Sequence, residues 1–188
     1  MRAMTFILSG LLLMTAQAAE AAETKASPYA GEHKRVIKTL SAKDVDDLTN
    51  GRGWGLAKAA ELNGVPGPSH LLELKDKIGL TPEQIAQVSS LFVGMKERAM
   101  VLGTQLIDLE ATLNGAFAKG NVEAAWLASV LDKISRVRRD LRYVHLSTHL
   151  ETPDILKPEQ IAHYNKLRGY DSNGGMDHSS GSMKHHKM

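Results

Sequence analysis

The 188-residue chain contains no cysteine. That excludes a disulfide framework, thiolate metal sites and a cysteine nucleophile. Aromatic residues are scarce: three Phe, four Tyr and two Trp, 5% of the chain. A thick core is therefore not expected; helices closing along Leu, Val, Ile and Ala are. Neither sign of charge dominates, with 23 Lys and Arg against 21 Asp and Glu. A chain this close to neutral lacks the global signature of a nucleic-acid binder, so any electrostatic function must come from local patches. Catalytic motifs are missing too. Gly51, Gly53 and Gly55 alternate around Arg52 and Trp54, but without the G-x-G-x-x-G spacing, a Walker lysine or a preceding strand. This stretch reads as a hinge, not a phosphate cradle. With no zincin motif and no triad logic either, the chain is not expected to be an enzyme.

The only concentrated apolar run lies at the start. Arg2 gives a positive n-region, Phe6 to Met14 a short apolar stretch, and Ala16-Gln17-Ala18 an A-x-A site. This is the pattern of a secretory signal peptide, cleaved near Ala18, and it is too short to span a bilayer. A periplasmic location follows as the expectation. Removing residues 1–18 takes away one charge, Arg2, and leaves a net +1.

The chain is organised around residues 81–118. Ile85, Val88, Phe92, Met95, Ala99, Leu102, Leu106, Leu109, Leu113 and Ala116 recur at alternating steps of three and four. That period is the seam of a long helix packed on another helix, and it spans about 55 Å at the usual rise per residue. Thr81, Pro82 and Gln84 supply a capping box with proline at the first helical position. After a break at Lys119-Gly120-Asn121, Leu127, Val130, Ile134, Val137, Leu141, Val144 and Thr148 form a second seam. Two seams joined by a tight reversal predict an antiparallel hairpin. Short helices are expected after Ser41, from Leu56 to Leu62 and from Ser69 or His70 to Ile78, with a last one from Pro158 to Gly169. The fold class is therefore all-α, an elongated hooked hairpin of about four to six helices. The expected divisions are a signal peptide at 1–18, an N-terminal arm at 19–68, the helical domain at 69–170 and a disordered tail at 171–188.

Leu80-Thr81-Pro82-Glu83-Gln84-Ile85-Ala86 recurs as Leu156-Lys157-Pro158-Glu159-Gln160-Ile161-Ala162. Each copy is a helix start: an apolar residue before the cap, proline, a carboxylate facing the helix dipole, and glutamine reaching back. As a pair bracketing a hairpin, they resemble the LTxxQ motifs of the Spy/CpxP family of periplasmic chaperones and heavy-metal sensors. The resemblance covers roughly residues 69–170. His145-Leu146-x-x-His149-Leu150 and Tyr164-x-x-Leu167-Arg168-Gly169-Tyr170 look closer to its CnrX- and ZraP-like sensor branch. Lys157 departs from the motif threonine, so that cap must be weaker or supplied otherwise. The resemblance implies an antiparallel, cradle-like homodimer. It also implies either metal binding through His, Glu and Met side chains or ATP-independent holding of unfolded clients.

His145 and His149 stand i, i+4 on one helix face, where two imidazoles can share a metal; the alternative is a pair of solvent or interface histidines. His70, Glu73 or His33 could complete the shell. The tail offers Met176, His178, Met183, His185, His186 and Met188, six soft or borderline donors within 13 residues. Thioethers suit Cu(I), and imidazoles suit Cu(II), Zn(II) and Ni(II). Arg136, Arg138, Arg139 and Arg142 make a basic face for acidic client segments, or else a solvated face paired with Asp132, Asp140 and Glu110. Three functions fit these features. The first is a copper- or zinc-class metal-binding stress or resistance protein. The others are a plain holdase and a non-catalytic partner of an envelope sensor kinase or anti-sigma factor.

Overall fold

The computed structural model describes residues 27–120 and 122–170; the signal-peptide and Met/His-tail expectations fall outside these residues. The packed unit begins at Gly31 and is all-α, with no strand among the described residues. Seven α-helices follow in order: α1 Ala42–Thr49, α2 Lys58–Glu61, α3 Pro68–Glu73, α4 Lys75–Ile78, α5 Pro82–Lys119, α6 Ala124–Glu151 and α7 Pro158–Arg168. One more helix appears than the pattern suggests because Leu74 sits at φ −103°, ψ 6°, which divides the expected 69–78 helix into α3 and α4.

The two long helices form the hairpin. Their polar cross-links fix its sense. Thr148 on α6 reaches the Met95 sulfur on α5 at 3.5 Å, whereas Arg138 reaches Glu110 at 3.1 Å. Rising along α5 therefore means descending along α6, as the reversal at Gly120 (φ 72°) requires. The α6 seam is buried or half-buried throughout. On α5, Val88, Met95, Ala99 and Leu106 are buried, but so are Gly103 and Glu110, which lie off the seam. The reason is a second partner. Ile37, Leu40 and Leu48 join the same core as Met95, Ala99 and Leu106, so α1 and the segment before it lie against another face of α5. At the crossing a Cβ on Gly103 would stand 2.2 Å from the Leu48 carbonyl oxygen, and only glycine admits so close an approach. Glu110 is buried because Thr39 donates to it at 2.9 Å and Arg138 pairs with it.

A second core closes the hook: Leu71, Ile78, Leu80, Val88, Leu156 and Tyr164. The two motif copies meet there. Gln84 and Gln160 exchange amide hydrogen bonds at 2.8 and 2.9 Å. Each Oε1 also accepts from its own N-cap amide, Thr81 at 3.0 Å and Lys157 at 2.9 Å. Each Nε2 donates to the backbone two residues before the other cap, Ile155 at 2.8 Å and Gly79 at 3.0 Å. The copies thus form a local pseudo-twofold joint. Thr81 completes its box by accepting from the Gln84 amide at 3.2 Å. Lys157 has no side-chain acceptor, so its backbone carbonyl takes the Gln160 amide instead, at 2.9 Å.

Candidate functional site: a histidine-lined cavity at the hook

Beside the first core lies a cavity of about 560 Å³, which Trp54, Phe92 and Met95 of that core help to wall. On α5 it is walled by Phe92, Met95 and Lys96, on α6 by His145 and His149, and across from them by Glu61, Gly67 and His70. The loop from Asn50 to Gly55 closes another side. His145, His149 and His70, picked out by residue type and spacing, therefore share one cavity.

Their environments differ. The i, i+4 spacing on α6 puts His145 and His149 on the buried face. His145 is 3% exposed and its Nε2 is buried without a partner. Burial, with a smaller contribution from the nearby His149, pulls its pKa down to about 4, so the ring is neutral at pH 7. In His149, Nδ1 lies 2.8 Å from the Val65 carbonyl oxygen. A carbonyl only accepts, so Nδ1 carries a proton, and the tautomer this selects has its lone pair on Nε2. A Cβ at Gly67 would come within 2.6 Å of that nitrogen, so the glycine is what lets the imidazole lie against the backbone.

His70 is engaged at both nitrogens: Nδ1 donates to Glu61 Oε1 at 3.1 Å, and Nε2 accepts from Arg168 at 3.5 Å. Glu73 is exposed and meets Ser69 at 3.4 Å, and His33 is exposed. Among the described residues no three His, Asp or Glu side chains converge as a metal site. The cavity-lining His, Glu and Met residues with donor atoms not taken up by a protein partner are His145, His149, Glu61 through Oε2, and Met95, whose thioether lies 3.5 Å from the Thr148 hydroxyl.

Pattern alone misses Glu61. Its side chain is buried, and Oε1 receives four donors: Tyr164 OH at 2.5 Å, His70 at 3.1 Å, and Arg168 Nε and Tyr170 OH each at 3.2 Å. Burial alone would raise the carboxyl pKa. The His70 and Tyr164 hydrogen bonds, with the charge of Arg168, outweigh it and hold the pKa at about 2. Burial and the same carboxylate push the Tyr164 hydroxyl well above its ordinary value. The Tyr164-to-Tyr170 run therefore has a structural role, since its two tyrosines and Arg168 lock α7 onto α2. All three polar groups were visible in the sequence, but nothing local pointed to their partner some 100 positions upstream.

The basic face divides. Arg138 is bound to Glu110 and stands 5.4 Å from the Trp54 ring centroid, and Arg139 pairs with its neighbour Asp140 at 2.6 Å. Arg136 and Arg142 are exposed. No helix among the described residues is long and apolar enough to cross a membrane. No family model, curated protein or solved structure matches the chain.

Proposed function

We propose that this chain is an exported, non-enzymatic metal-binding protein of the LTxxQ type. In this reading it captures a soft or borderline ion, copper or zinc class, at His145 and His149. One observation carries the reading: two imidazoles one turn apart line the same cavity, one with an unpartnered Nε2 and the other with its lone pair held on Nε2 by a backbone carbonyl. Outer hydrogen bonds of that kind orient metal-ligating histidines elsewhere. Met95 would supply a soft third donor, which favours copper. The tail donors Met176, His178, Met183, His185, His186 and Met188 would serve as a capture arm. The Gln84–Gln160 joint supports the LTxxQ assignment, because it gives the repeated glutamine a reason to occur twice. A homodimer and a membrane-bound sensor or anti-sigma partner belong to the same proposal.

The test is calorimetric titration of the full chain with Cu(I), Cu(II), Zn(II) and Ni(II). We expect His145→Ala/His149→Ala to weaken binding by about tenfold or more, the usual range for losing ligand-shell groups. A second full-length variant with the tail His and Met residues replaced separates the two sites. If neither variant loses affinity, the metal reading fails.

A second reading, an ATP-independent holdase, is favoured by exposed apolar side chains at helical spacing. Val93, Met100 and Val101 mark one side of α5, and Tyr143 and Leu150 mark α6, with exposures from 38% to 74%. Light scattering of a reduced, aggregating client decides it; no suppression at sub-stoichiometric protein would remove this reading.

A further inference from the structure

The cavity carries charge that the imidazoles do not explain. Lys58 and Lys96 both line it, and neither forms an ion pair among the described residues. The third lining cation, Arg52, is held by Asp46 and Asp47. The lining carboxylate, Glu61, is held by Arg168 and its three other donors. The uncompensated charge is therefore positive. Apolar wall is supplied by Trp54, Phe92 and Met95.

Trp54 sits in the left-handed region at φ 42°, a costly conformation for a bulky residue. Its indole N–H is tied to Asp44 at 2.8 Å, which fixes the ring at the cavity edge. Lys58 reaches across the same loop, its Nζ 3.7 Å from where a Cβ of Gly55 would stand. Lys96 packs its stem against Gly51. A volume of this size falls in the range of roughly 300–1,000 Å³ that small-molecule sites occupy.

We propose that the cavity binds a small organic anion, a carboxylate on a flat apolar body, with Lys58 and Lys96 meeting the carboxylate and Trp54, Phe92 and Met95 the body. This goes beyond the metal reading and does not rest on it, because ammonium groups donate and cannot ligate a metal.

The experiment uses the full chain stripped of metal, titrated with 2-naphthoate and with its neutral amide, 2-naphthamide. Binding is measured by calorimetry and located by the Trp54 and Trp126 indole N–H signals in NMR. Saturable naphthoate binding is expected to shift Trp54 and to be about tenfold tighter than amide binding, as loss of a charge-assisted contact implies. Lys58→Gln/Lys96→Gln is expected to remove that preference while leaving amide affinity and metal affinity unchanged. Both lysines are exposed, so the variant should fold as the wild type. No saturable naphthoate binding, equal affinity for acid and amide, an unchanged preference in the lysine variant, or a shift confined to Trp126 would each overturn the proposal. The metal reading is judged separately, by the histidine variants in the metal titration.

Discussion

The neutral, buried His145 makes acid sensitivity the sharpest consequence of this structure. An unfolded histidine titrates near 6.5, whereas the folded one is drawn down to about 4. The folded state therefore binds the proton more weakly than the unfolded state. The contribution to stability is complete above the unfolded value and is lost as pH falls from about 6.5 to about 4. A displacement of this size is worth roughly 3 kcal/mol once pH reaches the folded value, and about 2 kcal/mol of it is gone near pH 5. That is a large share of the roughly 5–15 kcal/mol by which a domain is stable. Urea unfolding followed by circular dichroism, at intervals between pH 7.5 and pH 4.5, measures it. Other groups titrate over the same range, so the informative quantity is the difference between wild type and His145→Gln, which keeps a polar side chain but cannot charge. The wild type should lose about 2 kcal/mol more than the variant between pH 7 and pH 5. Parallel curves would mean that protonated His145 finds an anion or water in the folded state, and the account of a desolvated, unpartnered imidazole would be wrong.

Two further outcomes follow from close packing and from the Glu61 hub. Gly103→Ala should destabilise the fold by about 1–3 kcal/mol, because its Cβ must push the Leu48 carbonyl away. Gly94→Ala, on the same helix with nothing within 4 Å of the new Cβ, should stabilise it by up to about 1 kcal/mol. Thermal denaturation of the pair gives opposite signs if α1 crosses α5 where described. Tyr164→Phe should cost about 1–2 kcal/mol by removing a donor to a buried carboxylate. The depressed Glu61 pKa means that its stabilisation is present above the unfolded value and lost as pH falls from about 4.5 towards about 2. Glu61→Gln should flatten the acid limb of the stability profile there and leave the His145 window unchanged.

What the sequence made legible is what repeats within a helix. The seams of α5 and α6, the boxes at Ser41 and Thr81, and the stops at Gly79, Gly120 and Gly169 are local signals, and the structure has each in place. What it concealed depends on partners far along the chain. Gln84 and Gln160 each announce a cap, but nothing local says that the two amides also bond each other. Glu61 ends a four-residue helix and looks like a solvated charge until Tyr164, Arg168 and Tyr170 fold over it. Gly103 was the best missed clue, since a glycine inside a long, well-formed helix is costly unless something presses against it. His145 and His149 were singled out by spacing. Their contrasting states depend on Val65 and Gly67, in a turn whose placement no periodicity reports.

The distribution of polar groups explains why the cavity lies where it does. Beyond Ala99, α5 and α6 close on an ordinary apolar seam with one buried carboxylate. Towards the hook the buried set changes character: Gln84, His145, Thr148, His149, Thr152, Gln160 and Glu61 are all buried. Most are satisfied by specific backbone or side-chain partners, such as Thr152 donating to the Pro66 carbonyl at 2.5 Å. Each partner dictates a position, so α2, α3 and α7 are held by direction as well as by burial. Elements held this way cannot slide inward to fill space as an apolar seam would, and a void persists beside them. Two side-chain atoms of cavity-lining residues, His145 Nε2 and Glu61 Oε2, are left buried without a partner. A buried polar atom without a partner is a standing cost, and a shift of its residue that met a ligand in the neighbouring cavity would relieve it. A ligand that fills the cavity should therefore raise the folding stability measured at pH 7 as it is added, and no rise would count against both proposed ligands.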